Sequence, residues 1–247
     1  MHTFLLCSGV RGQSQSLDLL RRLVDSRRPD GILFAGGILP AGRAYEPKGT
    51  PWGMTREDSL FVERFFRAFG ELGVFSAIVP GDSDTPLDDF LRLGMNAEIE
   101  FPTLHVVHAT MFTRDGLAVI GLGGPVAEGS ACELDCCSRT LAQYLLRTLP
   151  AAKQPHKVLL LGQSGAGASD ATKVNVLPRE LIDSLHPGLC VIGGGDASHV
   201  WRVAHTIVVH PGSLVDGRLA WFDWRRSPEQ RVELLNVGDS VRATARS

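Results

Sequence analysis

The sequence predicts an α/β protein built from layered, mixed β-sheets. The first observation is its opening half, in which short apolar runs alternate with amphipathic stretches in the order β-α-β-α-β. That order calls for parallel strands joined by right-handed crossovers. The second observation is a strand-rich tail after the last expected helix. The third is length, because 247 residues are enough for a sizeable core, and we expect a single domain over residues 1–247.

Each expected strand is a short apolar run. In chain order these runs are TFLLCS (3–8), GILFAG (31–36), GVFSAIVP (73–80), TLHVVHA (103–109), LAVIGLGG (117–124), KVLLLG (157–162), LCVIGG (189–194), TIVVHPG (206–212), LAWFDW (219–224) and VELLNV (232–237). No helical stretch separates 103–109 from 117–124, so these two strands are expected to be antiparallel neighbours. A functional site is expected in the loops that follow the carboxyl ends of the strands.

The expected helices rest on apolar residues at helical spacing and on end signals. Residues 15–25 carry Leu and Val at that spacing. The stretch TRED (55–58) fits a capping box, and the helix it opens has Phe residues at every fourth position. PLDDFLRLG forms a short helix that Gly94 is expected to stop. The remaining expected segments are helices at about 138–149 and near 178–185, a long loop over 40–54 and an irregular segment over 124–137.

Charge and composition exclude several classes of partner. A formal net charge of -2 and a pI near 6.4 give no reason to expect nucleic acid or an anionic membrane. No apolar run approaches the ~18 residues of a membrane span, and the run from Thr3 to Cys7 is too short for a signal peptide. Three thiols lie close together in CELDCC (132–137), but a zinc site needs a fourth ligand that is not evident. We expect reduced thiols and a cytoplasmic protein.

Three local motifs fall short of the chemistry they resemble. In GQSGAGAS (162–169), Ala168 replaces the lysine of a phosphate loop and Ala166 replaces the last Gly of a nucleophile elbow. GLGG lacks the remainder of a dinucleotide fingerprint. His105 and His108 flank two valines in an expected strand, so their side chains are expected on opposite faces and do not form a simple ligand pair.

Taken in order, the segments at the strand ends resemble the calcineurin-like metallophosphoesterases. These segments are LLCSGVRG (5–12), PDGILFAGGIL (29–39), VPGDSD (79–84), VLLLGQ (158–163), VIGGGDA (191–197) and VVHPGSLVDGR (208–218). They resemble, in order and spacing, the family's blocks D-x-H-G, G-D, G-N-H-[DE], a strand ending in His, G-H-[ST]-H and N-P-G-S. The resemblance covers about residues 3–224 and implies a four-layer α/β/β/α sandwich with mixed sheets.

The ligand positions depart from the family pattern almost throughout. Gly9 and Gly37 stand where the family has metal-binding Asp residues, and Arg11 stands where it has His. Asp82 takes the position of the Asn ligand, and Ser83 takes that of the catalytic His. The residues at the positions that the resemblance assigns to the site are Gly9, Arg11, Gly37, Asp82, Ser83, Gln163, Gly195, Ala197 and His210.

This set of residues predicts that the dinuclear metal site is lost. Two-metal hydrolysis needs divalent ions about 3.5–4 Å apart to clamp the phosphoryl group and generate hydroxide at neutral pH. Gly and Ala offer no side-chain donor, and Arg11 is a permanent cation that cannot ligate a metal. We therefore expect no bound Mn, Fe or Zn, no catalytic residue, and an inactive pseudoenzyme that serves as a binding, scaffold or regulatory protein.

Two alternatives stay open. One is an active phosphatase or phosphodiesterase with a relocated or single metal site, for which the nearby candidates are Asp84, Asp170, Asp196 and His199. The other is an anion or nucleotide sensor in which the Arg11 guanidinium binds phosphate without hydrolysing it. The plainer expectation for Arg11 is an ion pair with Asp82 or Asp196. A protein partner, a second copy of the chain and a phosphate-like anion are the candidate partners.

Overall fold

Two six-stranded sheets form the body of the computed structural model. The structure describes residues 1–40, 54–124, 126–127, 137–138, 153–162 and 176–238. The helices are α1 (Ser14–Arg27), α2 (Arg56–Glu71), α3 (Leu87–Glu100) and α4 (Val176–Leu185), and Leu214–Asp216 forms a 3₁₀ turn. The strands are β1 (Thr3–Cys7), β2 (Gly31–Ala35), β3 (Phe75–Val79), β4 (Leu104–Val106), β5 (Thr110–Arg114), β6 (Leu117–Leu122), β7 (Val126–Ala127), β8 (Cys137–Ser138), β9 (His156–Leu161), β10 (Leu189–Ile192), β11 (His199–Val203), β12 (Thr206–His210), β13 (Arg218–Asp223) and β14 (Val232–Asn236).

Both sheets have a parallel centre and antiparallel strands at an edge. The first sheet has the order β14-β13-β1-β2-β3-β4, in which β1 to β4 are parallel and β13 and β14 are antiparallel to their neighbours. The second has the order β11-β12-β10-β9-β6-β5, with β6, β9, β10 and β12 parallel and the two edge strands antiparallel. β7 and β8 form a separate short parallel ladder.

Apolar side chains on both faces of the strands hold the layers together. On β1, Leu5 and Cys7 pack against the helices of the first sheet, whereas Phe4 and Leu6 pack into the core between the sheets. This division follows from the alternation of side chains along a strand. On the outer face of the second sheet, Leu181 of α4 packs with apolar residues of β6, β9 and β10. The four-layer α/β/β/α sandwich with mixed sheets is thus confirmed.

The third helix differs from its prediction because Gly94 does not end it. α3 continues from Leu87 to Glu100, and Gly94 lies buried inside it. A methyl group on Gly94 would lie 2.6 Å from Cγ2 of Val106 and 3.1 Å from Cζ of Phe66. The glycine therefore allows α3 to pack closely against β4 and α2, and it is a packing residue rather than a helix end.

The predicted antiparallel pairing of 103–109 with 117–124 is wrong. β4 pairs in parallel with β3 in the first sheet, whereas β6 belongs to the second. The antiparallel partner of β6 is β5 (Thr110–Arg114), a half-exposed strand with no continuous apolar run. The edge strand β11 (His199–Val203) was missed for the same reason, since three of its five residues are exposed. Apolar content alone therefore finds the central strands and misses the half-exposed edge strands β5 and β11.

Several predicted segments lie partly or wholly outside the described residues. The loop over 40–54 is described only at its two end residues. The helix at about 138–149 is described only at Ser138, which ends β8. The irregular segment 124–137 contains β7 and the first residue of β8. Within the described ranges, no helix combines the length and apolar character needed to cross a bilayer.

Candidate functional site

A small pocket opens where the loops after the central strands of both sheets meet. Its volume is about 100 Å³, below the roughly 300–1,000 Å³ typical of sites for drug-sized ligands. It lies at the carboxyl ends of parallel strands, the position expected of a site in such sheets. The described residues that line it are Ser8, Gly9, Arg11, Gly37, Leu39, Gly81, Asp82, Ser83, Gly162, Gly194 and Gly195.

Glycines bring the loop after β1 and the loop after β2 into close backbone contact. Gly9 and Gly37 have φ angles of +71° and +78°, a region that side chains disfavour. A methyl group on Gly9 would lie 2.9 Å from Oγ of Ser213, and one on Gly37 would lie 3.1 Å from Cα of Gly9. The loops therefore occupy the space that ligating side chains would need at these two positions.

Arg11 forms an ion pair across the mouth of the pocket. Its Nη2 atom contacts Oδ1 of Asp196, which follows β10 in the second sheet. Arg218 Nη1 donates a hydrogen bond of 2.8 Å to the main-chain oxygen of Asp196 and so helps to position that loop. Of the two partners predicted for Arg11, the structure pairs it with Asp196, while Asp82 lines the same pocket.

Asp84 lies behind the pocket wall and joins two loops. It is completely buried, and its carboxylate accepts hydrogen bonds from the main-chain N–H groups of Gly37 (2.9 Å), Leu39 (2.8 Å) and Gly81 (2.7 Å). Burial raises the pKa of Asp84, and the main-chain hydrogen bonds oppose that rise. Its oxygens face main-chain donors, so Asp84 has a structural role in joining these loops.

Ser83 is also engaged in loop structure. Its Oγ donates a hydrogen bond of 3.0 Å to the main-chain oxygen of Leu39. A serine hydroxyl does not titrate near neutral pH and cannot shuttle a proton as an imidazole does. Ser83 therefore connects the loop after β3 to the loop after β2, and it does not replace the catalytic His of the family.

His210 is buried beneath the loop that carries Asp196. A methyl group on Gly195 would lie 2.4 Å from Cε1 of the His210 ring, so the ring takes the space of a side chain at position 195. The Nδ1 atom of His210 has no hydrogen-bond partner among the described residues. The pKa of His210 is lowered to about 4, chiefly by burial and also by nearby His199, while Asp196 acts in the opposite direction.

The other histidines singled out from the sequence have local partners. The ring of His105 stacks on Phe112 with centroids 3.9 Å apart, and its buried Nε2 has no hydrogen-bond partner in the part of the chain that the structure describes. His108 lies beyond the end of β4, where its Nδ1 accepts a hydrogen bond of 3.1 Å from the N–H of Gly123. Burial lowers the pKa of both residues.

The described residues do not fit a dinuclear metal centre. Gly9, Gly37 and Gly195 carry no side-chain donor, and Arg11 brings a cation to the site. Over the described ranges, no group of three or more His, Cys, Asp or Glu residues is arranged to hold a metal ion. Gln163 and Asp170 lie outside the described residues, as does the GQSGAGAS segment apart from Gly162.

The two-sheet sandwich with its pocket at the strand ends belongs to the metallophosphoesterase class. A family model described as metallophosphoesterase, calcineurin superfamily, matches residues 1–237. The chain therefore belongs to the calcineurin superfamily of metallophosphoesterases.

Solved structures share the fold of this chain. TT1561 of Thermus thermophilus is 25% identical with a TM-score of 0.79, and the match covers 96% of this chain and 99% of that chain. GAP50, the anchor in the inner membrane complex of Plasmodium, is 10% identical with a TM-score of 0.51. That match covers 95% of this chain and 88% of the other, and it indicates similarity of fold alone. No curated protein sequence matches this chain.

Proposed function

We propose that this protein is a non-hydrolytic member of the superfamily, a pseudoenzyme that works as a binding or scaffold protein. The observation that carries the proposal is the Arg11–Asp196 ion pair at a pocket whose ligand positions are Gly9, Gly37 and Gly195. A metal-dependent phosphoesterase needs carboxylate and imidazole ligands there to hold two ions and generate hydroxide. The guanidinium cation would instead repel a divalent ion, and the glycines have no donor to offer.

Metal content and turnover test this proposal together. Protein purified with Mn²⁺ supplied is expected to contain no stoichiometric metal by elemental analysis. It is also expected to show no metal-dependent turnover of an aryl phosphate monoester or diester. About two metals per chain would contradict the proposal, as would turnover abolished by Asp82→Ala.

The active-enzyme alternative has less support than the binding role. Among its candidate ligands, Asp84 accepts three main-chain hydrogen bonds and Asp196 pairs with Arg11. Recruiting either carboxylate to a metal would break contacts that join the loops. A single metal per chain, together with turnover lost in Asp196→Asn, would favour this alternative.

The anion-sensor alternative depends on whether Arg11 is free to bind. Arg11 is paired with Asp196, and the Asp82 carboxylate lines the same small pocket, so the local charge does not favour an anion. Inorganic phosphate is therefore expected to leave the melting temperature unchanged. Stabilisation by phosphate that disappears in Arg11→Ala would support the sensor instead.

A further inference from the structure

The edge strands β11 and β14 lie above one another on the same side of the sandwich. Across the core, β2 contacts β9 and β3 contacts β6, and counting outward from these pairs along the two strand orders places β14 on the same side as β11. Two contacts tie the layers together near this edge. At one end Arg218 Nη1 donates to the main-chain oxygen of Asp196 at 2.8 Å. At the other end Arg202 Nη2 of β11 lies 3.9 Å from Oε1 of Glu229, which precedes β14.

Each of these edge strands presents an apolar side chain to the space between the sheets. Val200 is paired with Val209, and Leu234 is paired with Ala220, and both of these partners belong to the inter-sheet core. Directly paired residues project to the same face of a sheet, so Val200 and Leu234 also point inward. They are nevertheless 42% and 44% exposed. The inter-sheet core is therefore open along this edge.

The main chain at this edge is also available for pairing. Within the described part of the chain, β11 and β14 each have one neighbouring strand. Their outward N–H and C=O groups can pair with another strand. A single extended peptide could pair with only one of them. A second sandwich, in contrast, presents two edges with the same separation of about 10 Å, which matches both strands at once.

We propose that the β11–β14 edge is a homodimer interface at which a second copy of the chain continues both sheets. A two-fold axis perpendicular to the sheets makes each strand antiparallel to its own copy and closes the assembly at two chains. With the axis through Val200 and Leu234, each of these residues faces the same residue of the second copy. Both copies of Arg202 then stay at the margin, next to Glu229, and no unpaired charge from the described residues is buried at the centre.

Sedimentation velocity over a dilution series tests the interface. The wild-type chain is expected to sediment as a dimer at high concentration. The double variant Val200→Lys/Leu234→Lys is expected to be monomeric throughout, with an unchanged far-ultraviolet circular dichroism spectrum. The matched control is Met95→Lys/Ile99→Lys, because these residues are 64% and 84% exposed but lie on α3. The control is expected to remain dimeric.

Disulfide trapping gives a second readout that does not depend on lysine substitution. In a background with Cys132, Cys136 and Cys137 replaced by Ser, Val200→Cys placed on the two-fold axis is expected to form a covalent dimer under diamide oxidation, whereas the background alone and Met95→Cys in it are not. A wild-type chain that is monomeric at every concentration would overturn the proposal. So would dimers that are lost in the α3 control and kept in the edge variant. The interface does not depend on the proposed lack of hydrolysis, because a catalytically active chain could form the same dimer.

Discussion

At the scale of single residues, the side chains around the pocket contact one another and the main chain of neighbouring loops. Arg11 pairs with Asp196, and the His210 ring fills the space beside Gly195. Asp84 accepts main-chain hydrogen bonds from two loops, and its complete burial makes it part of the framework. Without its hydrogen bonds, the Asp84 carboxylate would be a buried polar group that has no partner. His210 differs, since its Nδ1 is buried and has no partner within the described ranges.

The burial of His210 predicts a specific loss of stability in acid. Its pKa is about 4 in the folded protein, against an ordinary value of 6.5. Between these values the unfolded chain binds more protons than the folded chain, so stability falls as the pH is lowered through that window. Above pH 6.5 the titration of His210 does not lower the free energy of unfolding. As the pH approaches 4, this titration lowers the free energy of unfolding by about 3 kcal/mol. Urea unfolding measured at several pH values between 4 and 6.5 gives the change in the free energy of unfolding with pH.

His210→Gln is the control for this prediction because glutamine does not titrate. The half-buried His105 and His108 and the buried Asp84 also have shifted pKa values, and they are present in both proteins. The difference between the two pH profiles therefore isolates His210. Parallel profiles for wild type and His210→Gln would contradict the prediction.

At the scale of elements, packing decided where the third helix ends. Gly94 reads as a stop signal because glycine is common just after helices. Inside α3 it gives Val106 and Phe66 room to approach the helix backbone. The same helix carries Met95 and Ile99 on its exposed side, so its two faces have opposite roles. The tertiary contact therefore overrides the low helix propensity of glycine.

Gly94→Ala is expected to destabilise the protein even though alanine favours helices. Propensity alone would give a gain of about 1 kcal/mol. The added methyl group would meet Val106 at 2.6 Å, and overpacking of this kind costs about 1–3 kcal/mol, so the expected net change is a loss. Chemical denaturation measures it. Asn96→Ala, at an exposed site in α3, is the control and should be neutral or slightly stabilising.

At the scale of the whole molecule, the pocket is a junction between the two sheets. Arg11 follows β1 of the first sheet, and Asp196 follows β10 of the second. Ser8 Oγ also donates a hydrogen bond of 2.8 Å to the main-chain oxygen of Gly212, which follows β12 of the second sheet. These contacts join loops that follow strands of both sheets. Most of the cohesion between the sheets nevertheless comes from the apolar core.

A double-mutant cycle on Arg11 and Asp196 is expected to give a coupling free energy below about 1 kcal/mol. The side chains are 34% and 69% exposed, so solvent screens their attraction. The variants Arg11→Ala, Asp196→Asn and the double variant provide the cycle, measured by urea unfolding at low and high salt. The coupling should decrease at high salt. A salt-independent coupling above about 2 kcal/mol would mean that the pair is shielded from solvent.

The order of apolar runs in the sequence was sufficient to predict the central strands, most helices and the layered α/β class. Burial on both faces leaves a continuous apolar signal in central strands such as β2, whose five residues are all buried. The segments at strand ends also predicted the family. Nine positions were singled out in this way, and Gly9, Arg11, Gly37, Asp82, Ser83 and Gly195 do line one pocket.

Tertiary structure alone decided features that depend on distant neighbours. The half-exposed strands β5 and β11 have no distinctive composition, so their pairing appears only when the sheets are assembled. The choice of Asp196 as the partner of Arg11 depends on a separation of 185 positions along the chain. Asp84 and Asp82 are both acidic and two residues apart, yet one is buried and the other exposed. The sequence by itself determined which chemical groups reach the strand ends, and only packing determined which of those groups meet, because meeting requires loops from two sheets to converge.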